Sequence, residues 1–231
     1  MPRVGVDLMS VTRFARVAEH RRYRALVFTE LELGQAGTPG SARCLERPAG
    51  RFCVKEAVCK LLGRGFGQGL RRPEIEVGTD AWGAPAVVLS GGARQVAQQA
   101  GVREIAVTLA PQADLAVAFA AADHGRPPPP YRAAEAQDAG GAEPTAPWAD
   151  VARPAAEVFG TGADRVEAAE SFARDLGATP ALTIELPARL EERYSVLIPE
   201  PDFSRMTDLR AARRAVARAQ PKGSPWTASA F

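Results

Sequence analysis

The hydrophobic and polar positions of the first 124 residues alternate between the two-residue period of strands and the longer period of helices. Short apolar runs predict strands at residues 4–8, 75–77, 86–89, 105–109 and 115–119. Helical spacing extends from Ser10, a suitable N-cap, towards Tyr23, and it returns over residues 48–62 and 93–100. Helices beside an antiparallel sheet make an α+β domain, which is the fold class that we predict for residues 1–124.

The pattern changes after residue 124. Four consecutive prolines, residues 127–130, favour an extended polyproline segment, so we interpret residues 125–148 as a semi-rigid linker. Apolar residues then recur at helical spacing over 151–159, 168–176, 182–194 and 208–219. This spacing predicts an all-α four-helix-bundle domain over residues 149–220. We predict a disordered tail from residue 221 to residue 231.

Composition and charge narrow the classes of function. The chain has 231 residues, 46% hydrophobic and 24% charged, which is ordinary for a globular protein, and its net charge of +2 is too small to indicate a nucleic-acid partner. The sequence shows neither an apolar run of 18 residues nor a signal-like start. We therefore expect a cytoplasmic location and no membrane partner. Residues 1–124 carry 16 Lys and Arg against 12 Asp and Glu, a mildly basic balance that suits an acidic protein partner.

The three cysteines do not indicate a metal site. Cys44, Cys53 and Cys59 are odd in number and lack the spacing of metal ligands. Because Cys53 and Cys59 lie in the predicted helix over residues 48–62, we predict that both are buried, reduced thiols.

Candidate chemistry begins on the same helix. Glu56 and Lys60 are four residues apart and project from one face, which by itself is also the pattern of a solvated ion pair. A second carboxylate, Asp7, interrupts the first apolar strand, where burial is costly unless the acid is paired or holds a metal. The sequence therefore leaves a surface ion pair and a two-carboxylate site as alternatives.

Several separated motifs keep a common order and spacing. They are Gly5-Val6-Asp7-Leu8 followed by Arg13, Val27-Phe28-Thr29-Glu30-Leu31-Glu32-Leu33, Arg51-Phe52-x-Val54-Lys55-Glu56-Ala57-x-x-Lys60-x-x-Gly63-x-Gly65, Glu74-Ile75-Glu76-Val77 and Gly83-Ala84-Pro85. Together they resemble the small holo-acyl-carrier-protein synthase type of 4′-phosphopantetheinyl transferase, over residues 5 to about 118. The likeness rests on the spacing of these motifs, since none of them is long.

The resemblance implies an enzyme that moves phosphopantetheine from coenzyme A to the serine of an acyl carrier protein with Mg²⁺. It implies that Asp7 and Glu56 are metal ligands and catalytic residues, that Lys60 contacts the phosphates and assists proton transfer, and that Arg13 docks the carrier protein. The coenzyme-binding residues that it implies are Arg51, Lys55, Gly63, Gly65, Gly83 and Pro85. It also implies a homotrimer with coenzyme A bound between neighbouring copies.

Departures from the family pattern support an alternative function. The last motif usually ends in histidine or aspartate, whereas this chain has Pro111, and the usual Gly-Lys-Pro has Ala84 in its centre. Arg64 replaces a small residue between Gly63 and Gly65. The alternative is a protein of transferase fold that no longer transfers phosphopantetheine and instead binds or processes carrier-tethered acyl or polyketide chains.

The second half has a resemblance of its own. Ser171-Phe172-x-x-Asp175-Leu176-Gly177-Ala178, followed by Glu185-Leu186-x-x-x-Leu190-Glu191-Glu192-x-Tyr194 and Ile198-Pro199, resembles an acyl carrier protein. The position of the attachment serine holds Pro180, so the resemblance implies a degenerate carrier-like domain that cannot be loaded. An unrelated four-helix bundle is the alternative for this half.

Overall fold

The computed structural model describes residues 1–18, 21–37, 42–66, 68–127, 150–179 and 181–222. The chain forms two compact units, Met1–Gln137 and Asp138–Phe231. Most of the predicted linker and residues 223–231 of the predicted tail lie outside the described residues. Within those residues no helix combines the length and the apolar character that crossing a bilayer requires.

The first unit mixes helices and strands as the sequence predicts. Its elements, in chain order, are β1 (Arg3–Ser10), α1 (Val11–Ala18), α2 (Arg21–Val27), α3 (Glu30–Gly34), α4 (Ala42–Leu62), β2 (Ile75–Thr79), β3 (Pro85–Leu89), α5 (Gly91–Ala100), β4 (Ala106–Gln112) and β5 (Leu115–Ala122). A short 3₁₀ helix, Arg72–Glu74, precedes β2. The α+β class predicted for this half is confirmed.

Three strands form an antiparallel sheet in the order β1-β5-β4, and β2 and β3 form a separate antiparallel hairpin. The long helix α4 packs against β1 and β5. The register places Asp7, on the edge strand β1, opposite Ala118 in the central strand β5. One face of the sheet therefore lies directly on the helix that carries Glu56 and Lys60.

Strand β1 alternates between buried and exposed residues, and its exposed residues are the large apolar ones. Gly5 and Asp7 are buried on the side that faces α4, whereas Val4, Val6 and Leu8 are 60%, 40% and 61% exposed on the other side. A Cβ atom on Gly5 would lie 1.9 Å from the carbonyl oxygen of Ala57, so only glycine permits this approach of strand and helix. The close approach is what brings Asp7 to α4.

Helix α4 starts earlier than the sequence predicts. The predicted start at Pro48 is wrong, because the helix begins at Ala42 and contains Pro48 in its second turn. Because proline has no backbone N–H, the helix lacks one i→i−4 hydrogen bond at this turn. The predicted end is confirmed: Gly63 has φ +72° and donates to the Lys60 carbonyl while Arg64 N donates to the Cys59 carbonyl, a Schellman motif.

The helix predicted from Ser10 towards Tyr23 is two helices, α1 and α2, and residues 19–20 between them lie outside the described residues. Ser10 does act as an N-cap, since its hydroxyl accepts a hydrogen bond from Arg13 N at 3.1 Å. Thr29 caps α3 in the same way, with Glu32 returning a bond to Thr29 N in a capping box.

The second unit is mostly helical. Its elements are α6 (Ala152–Phe159), α7 (Ala163–Ala168), α8 (Phe172–Leu176), α9 (Leu182–Tyr194), β6 (Val196–Leu197), α10 (Glu200–Phe203), α11 (Leu209–Arg218) and β7 (Gln220–Pro221). Helix α9 has the predicted bounds. The helix predicted over 168–176 is wrong, because the chain is extended at Ala169 and restarts at Ser171, whose side chain caps α8. Pro221, predicted in a disordered tail, pairs with Val196.

Candidate functional site

Asp7 and Lys60 meet where β1 crosses α4. Lys60 Nζ lies 2.8 Å from Asp7 Oδ1 and also donates to the Val6 carbonyl at 2.8 Å. The Asp7 side chain is 10% exposed, whereas that of Lys60 is 50% exposed. Lys60 pairs with Asp7 and not with Glu56, so the interpretation of Glu56 and Lys60 as a solvated i,i+4 ion pair is wrong.

Glu56 lies one helical turn before Lys60 and is almost fully buried. It is 4% exposed, and its Oε1 atom is buried with no hydrogen-bond partner. Burial raises the pKa of Glu56 to about 8; Arg72 opposes that rise, Asp7 adds to it and Lys60 opposes it. Because a buried carboxylate oxygen without a partner is costly, this atom indicates a position that a cation would satisfy.

Two thiols line the same stretch of helix. Cys53 and Cys59 are buried and form no disulfide, which confirms the prediction for both. Cys53 Sγ donates to the Ala116 carbonyl at 3.3 Å, and burial, followed by the charge of Asp7, raises the pKa of its thiol. Burial also raises the pKa of Cys59. Neither thiol is activated, so neither is a candidate nucleophile.

Lys55 belongs to a different cluster, although it precedes Glu56. Its ammonium is 0% exposed and contacts Glu32 Oε2 at 2.9 Å and the carbonyls of Arg72 and Ile75 at 3.0 and 2.6 Å. The other Glu32 oxygen accepts from Val77 N at 2.9 Å. All three donors of Lys55 are therefore engaged by protein atoms that tie α3, α4 and β2 together.

Arg51 lies beside that cluster. Its Nη1 donates to the Glu32 carbonyl and its Nη2 to Gln35 Oε1 at 2.6 Å, and the residue is 8% exposed. The structure thus does not bring Arg51 and Lys55, both predicted to bind coenzyme, to the Asp7 and Glu56 carboxylates. It places them between α3 and α4.

The glycine-rich loop after α4 leads to a cation, Arg72, that is not among the predicted site residues. Gly63 ends α4, and Gly65 N donates to Gln68 Oε1 at 3.0 Å. Arg72 follows this loop, and its guanidinium carbon lies 4.5 Å from the centre of the Phe66 ring. The charge of Arg72 opposes the rise that burial causes in the pKa of Glu56. The adjacent arginines after a glycine-rich loop were the only sequence signal for it.

Gly83 and Pro85 lie at the tip of the β2–β3 hairpin. Asp80 Oδ1 accepts from Trp82 N and Ala84 N at 2.8 and 2.9 Å, and Gly83 has φ +85°. The strand rise puts this tip roughly 13 Å along the hairpin from Ile75, which contacts Lys55. Within the part of the chain that the structure describes, no hydrogen bond or ion pair joins the tip to Asp7, Glu56 or Lys60.

Arg13 is exposed in the first turns of α1, and that turn is anchored to the β4–β5 turn. Asp114 Oδ2 accepts from Ser10 Oγ at 2.7 Å and its Oδ1 accepts from Thr12 N at 2.8 Å. These bonds lower the pKa of Asp114. The start of α1, and with it Arg13, is therefore held against the sheet that carries Asp7.

The arrangement fits a magnesium ion better than a transition metal. No group of three or more His, Cys, Asp or Glu side chains in the described residues could hold a metal ion. Magnesium is usually bound by one or two carboxylates together with substrate phosphates and water. Asp7 and Glu56 supply two carboxylates, and the unpartnered buried oxygen of Glu56 is the observation that fits such an ion.

Comparisons with known proteins concern the first half of the chain. A family model described as the 4′-phosphopantetheinyl transferase superfamily matches residues 3–120. The holo-[acyl-carrier-protein] synthase of Desulforudis audaxviator is 39% identical over 121 residues, which cover 52% of this chain and 90% of that protein. The synthase of Moorella thermoacetica is 38% identical over 116 residues, 47% of this chain and 84% of that protein. A solved complex from Chronobacterium ammoniagenes, named as a synthase with coenzyme A, covers 55% of this chain and 99% of its own at 30% identity and a TM-score of 0.48.

Proposed function

The chain belongs to the 4′-phosphopantetheinyl transferase superfamily, and we propose that it moves phosphopantetheine from coenzyme A to the serine of an acyl carrier protein. The observation that carries this proposal is the pair Asp7 and Glu56, brought together from β1 and α4 beside Lys60. A buried carboxylate oxygen without a partner is a destabilising feature, which a purely structural site would have no reason to keep. The named relatives are synthases of the same class.

We propose that Asp7 and Glu56 hold a Mg²⁺ ion. A bound divalent ion would neutralise negative charge on the diphosphate as the serine oxygen bonds to the β-phosphorus. In that reaction the bond from the β-phosphorus to the bridging oxygen breaks, and 3′,5′-ADP leaves. The protein residues hold the substrate in position and supply fixed charge, which is most of what catalysis of phosphoryl transfer requires.

Lys60 is placed to contact the substrate. Its ammonium is fixed by Asp7 and the Val6 carbonyl, yet half of its side chain remains exposed. A cation held in this way can donate to a phosphate oxygen without losing its position, so reorganisation during the reaction is small. We also propose that Lys60 assists the proton transfer by its charge: the proton of the serine hydroxyl passes to an ordered water, because the Lys60 ammonium is already protonated.

Arg13 is proposed to dock the carrier protein. It lies on α1, whose start is anchored by Asp114, and residues 1–124 carry an excess of positive charge. Charge on the rim of an interface acts mainly through the association rate and its salt dependence. We therefore expect Arg13 to affect carrier binding and to leave the chemical step unchanged.

The exposed apolar face of the sheet supports a homotrimer. Val4 and Leu8 on β1 and Phe119 on β5 are 60%, 61% and 47% exposed, and Val6 lies opposite Phe119 in the register. An apolar face of this kind is typical of a surface that another copy covers. A trimer would also let the Gly83–Pro85 turn of one copy line the coenzyme site of a neighbour.

The oligomer can be tested by sedimentation. Phe119→Asp places a charge on the apolar face, and we expect a trimeric wild type to become monomeric in this variant. A matched change at Trp82, which is 92% exposed at the hairpin tip, should leave the sedimentation coefficient unchanged. A wild type that sediments as a monomer would contradict the trimer.

We propose that the second unit is a degenerate carrier-like domain that docks or assembles the enzyme. Supporting this, α8 ends at Gly177 and α9 begins at Leu182, on either side of the position where a carrier has its serine. Pro180 itself lies outside the described residues. Proline has no hydroxyl, so this unit cannot accept phosphopantetheine there.

A second candidate function is favoured by Pro111. This residue is exposed in β4, an edge strand of the sheet, and it supplies neither a proton acceptor nor a backbone donor. The candidate is a protein that binds carrier-tethered acyl or polyketide chains without transfer. Mass spectrometry of an apo carrier protein incubated with coenzyme A, Mg²⁺ and the full chain separates the two. A mass gain of one phosphopantetheine that Asp7→Ala abolishes supports transfer, and no gain with several carriers contradicts it.

A further inference from the structure

Arg72 is fixed at both ends. Its carbonyl accepts a hydrogen bond from the buried Lys55 ammonium at 3.0 Å, which fixes the backbone of the 3₁₀ helix Arg72–Glu74. Its guanidinium carbon lies 4.5 Å from the centre of the Phe66 ring, a cation–π distance. The side chain is half-buried, whereas that of the preceding Arg71 is exposed. A long, flexible side chain is thus held in one place, which reduces the entropy that it loses on binding a ligand.

The segment that carries Arg72 lies against α4, because the Arg72 carbonyl accepts a hydrogen bond from Lys55, the residue before Glu56, and the guanidinium lies over Phe66 in the loop that follows α4. The charge of Arg72 acts on both Glu56 and Cys59, which lie three residues apart on that helix. Lys60 also acts on Glu56, but its ammonium is paired with Asp7. Arg72 therefore supplies positive charge to this part of α4 from outside the helix.

The charge balance of the site leaves a role for such a cation. Two carboxylates and the doubly charged diphosphate of coenzyme A are only partly neutralised by one divalent ion and the Lys60 ammonium. One negative charge remains, and it grows on the leaving oxygen in the transition state. The hairpin turn offers no cation because Ala84 stands between Gly83 and Pro85. A guanidinium is suited to this position because its planar fork can bond two phosphate oxygens at once.

We propose that Arg72 binds the diphosphate of coenzyme A beside the Asp7–Glu56 pair, in a role that the hairpin turn of this chain does not supply. The inference rests on the proposed function for the identity of the ligand. It adds a residue that the sequence motifs do not single out. It also makes the glycine-rich loop, through Phe66, a support for the substrate-binding cation.

The test is equilibrium binding of coenzyme A and of dephospho-coenzyme A, which lacks only the 3′-phosphate, to the full chain with Mg²⁺. We expect Arg72→Gln to weaken the binding of both ligands by about tenfold or more, because a hydrogen bond to a charged group is lost. Arg72→Lys should restore part of the affinity. Arg71→Gln, the exposed neighbour, should bind both ligands as the wild type does.

Each other outcome overturns the inference. Equal affinities for wild type and Arg72→Gln would show that Arg72 does not contact the coenzyme. A loss confined to coenzyme A would assign Arg72 to the 3′-phosphate and not to the diphosphate. A loss that Arg72→Lys reproduces in full, together with a lowered melting temperature in both variants, would show a structural role.

The binding readout also separates this inference from the proposed transfer reaction. If the wild type modifies a carrier protein but Arg72→Gln binds coenzyme A normally, transfer stands and the role of Arg72 fails. If the wild type modifies no carrier protein but binds both ligands through Arg72, the inference stands and the transfer reaction fails.

Discussion

Two charged clusters lie on the same helix, α4, and their central residues are neighbours in sequence. The Lys55 cluster is closed: its ammonium and the Glu32 carboxylate are fully buried, and each of their charged atoms has a protein partner. The Glu56 cluster is open: one buried carboxylate oxygen has no partner, and Lys60 is half exposed. A satisfied buried network stabilises a fold, whereas an unsatisfied one indicates that a ligand completes it.

The comparison predicts its largest difference in unfolding free energy between variants of the two lysines of α4. Lys55→Met should lower the free energy of unfolding by about 3–5 kcal/mol, because it leaves Glu32 buried without its counter-charge. Lys60→Met removes the half-exposed partner of Asp7, whose side chain is 10% exposed, and should cost less, about 1–2 kcal/mol. Urea unfolding of the two variants, each compared with wild type, measures both values. Equal losses would remove the distinction between a closed and an open cluster.

Glu56 should show the opposite behaviour. Glu56→Gln should reduce transfer by about 10²–10³-fold, since a metal ligand contributes several kcal/mol to the transition state. It should leave the free energy of unfolding unchanged or raise it, because a buried oxygen without a partner is replaced by a neutral amide. Rates from a carrier-modification assay and urea unfolding are the two measurements. A large loss of stability would place Glu56 with the structural cluster.

Gly5 allows β1 to approach α4 closely enough for Asp7 to reach the open cluster. Gly5→Ala adds a Cβ atom 1.9 Å from the Ala57 carbonyl oxygen, so β1 must move off α4. We expect a loss of about 1–3 kcal/mol in unfolding free energy, typical of overpacking, and a fall in transfer as Asp7 shifts. Gly78→Ala, in β2, is the matched control, because a Cβ there meets nothing within 4 Å. Equal behaviour of the two variants would contradict the close approach.

The smallest effect should come from Arg13, which we propose acts on carrier binding and not on the chemical step. Arg13→Glu should raise the KM for the carrier protein about tenfold at low salt and leave kcat unchanged, because rim charges act on association. Arg103→Glu, an exposed change in the same unit, serves as the control. Steady-state kinetics at two salt concentrations measure this effect. A change in kcat alone would argue against docking.

The sequence predicted the open cluster better than the closed one. The local signals were an acid in an apolar strand, Asp7, and the helical spacing of Glu56 and Lys60. The resemblance indicated that these three residues form one site. It also assigned Arg51 and Lys55 to coenzyme, because a motif does not say which side of α4 faces α3. Only the packing of Glu32 between α3 and β2 shows that the Lys55 ammonium is engaged.

Elements whose limits depend on tertiary contacts were also harder to predict. Pro48 suggested a helix start, but α4 begins at Ala42 and contains the proline. The break at Ser171 depends on a side-chain cap that a periodic pattern does not reveal. Strands with short apolar runs, such as those predicted at residues 75–77 and 86–89, were predicted from sequence.

The central claim is that Asp7 and Glu56 act together on one divalent ion. A double-mutant cycle tests it: transfer rates are measured for wild type, Asp7→Asn, Glu56→Gln and the double variant at saturating Mg²⁺. If the two residues act as a unit, the double variant should be no slower than the slower single variant. If the two losses multiply, the residues act independently, and a shared ion would be contradicted.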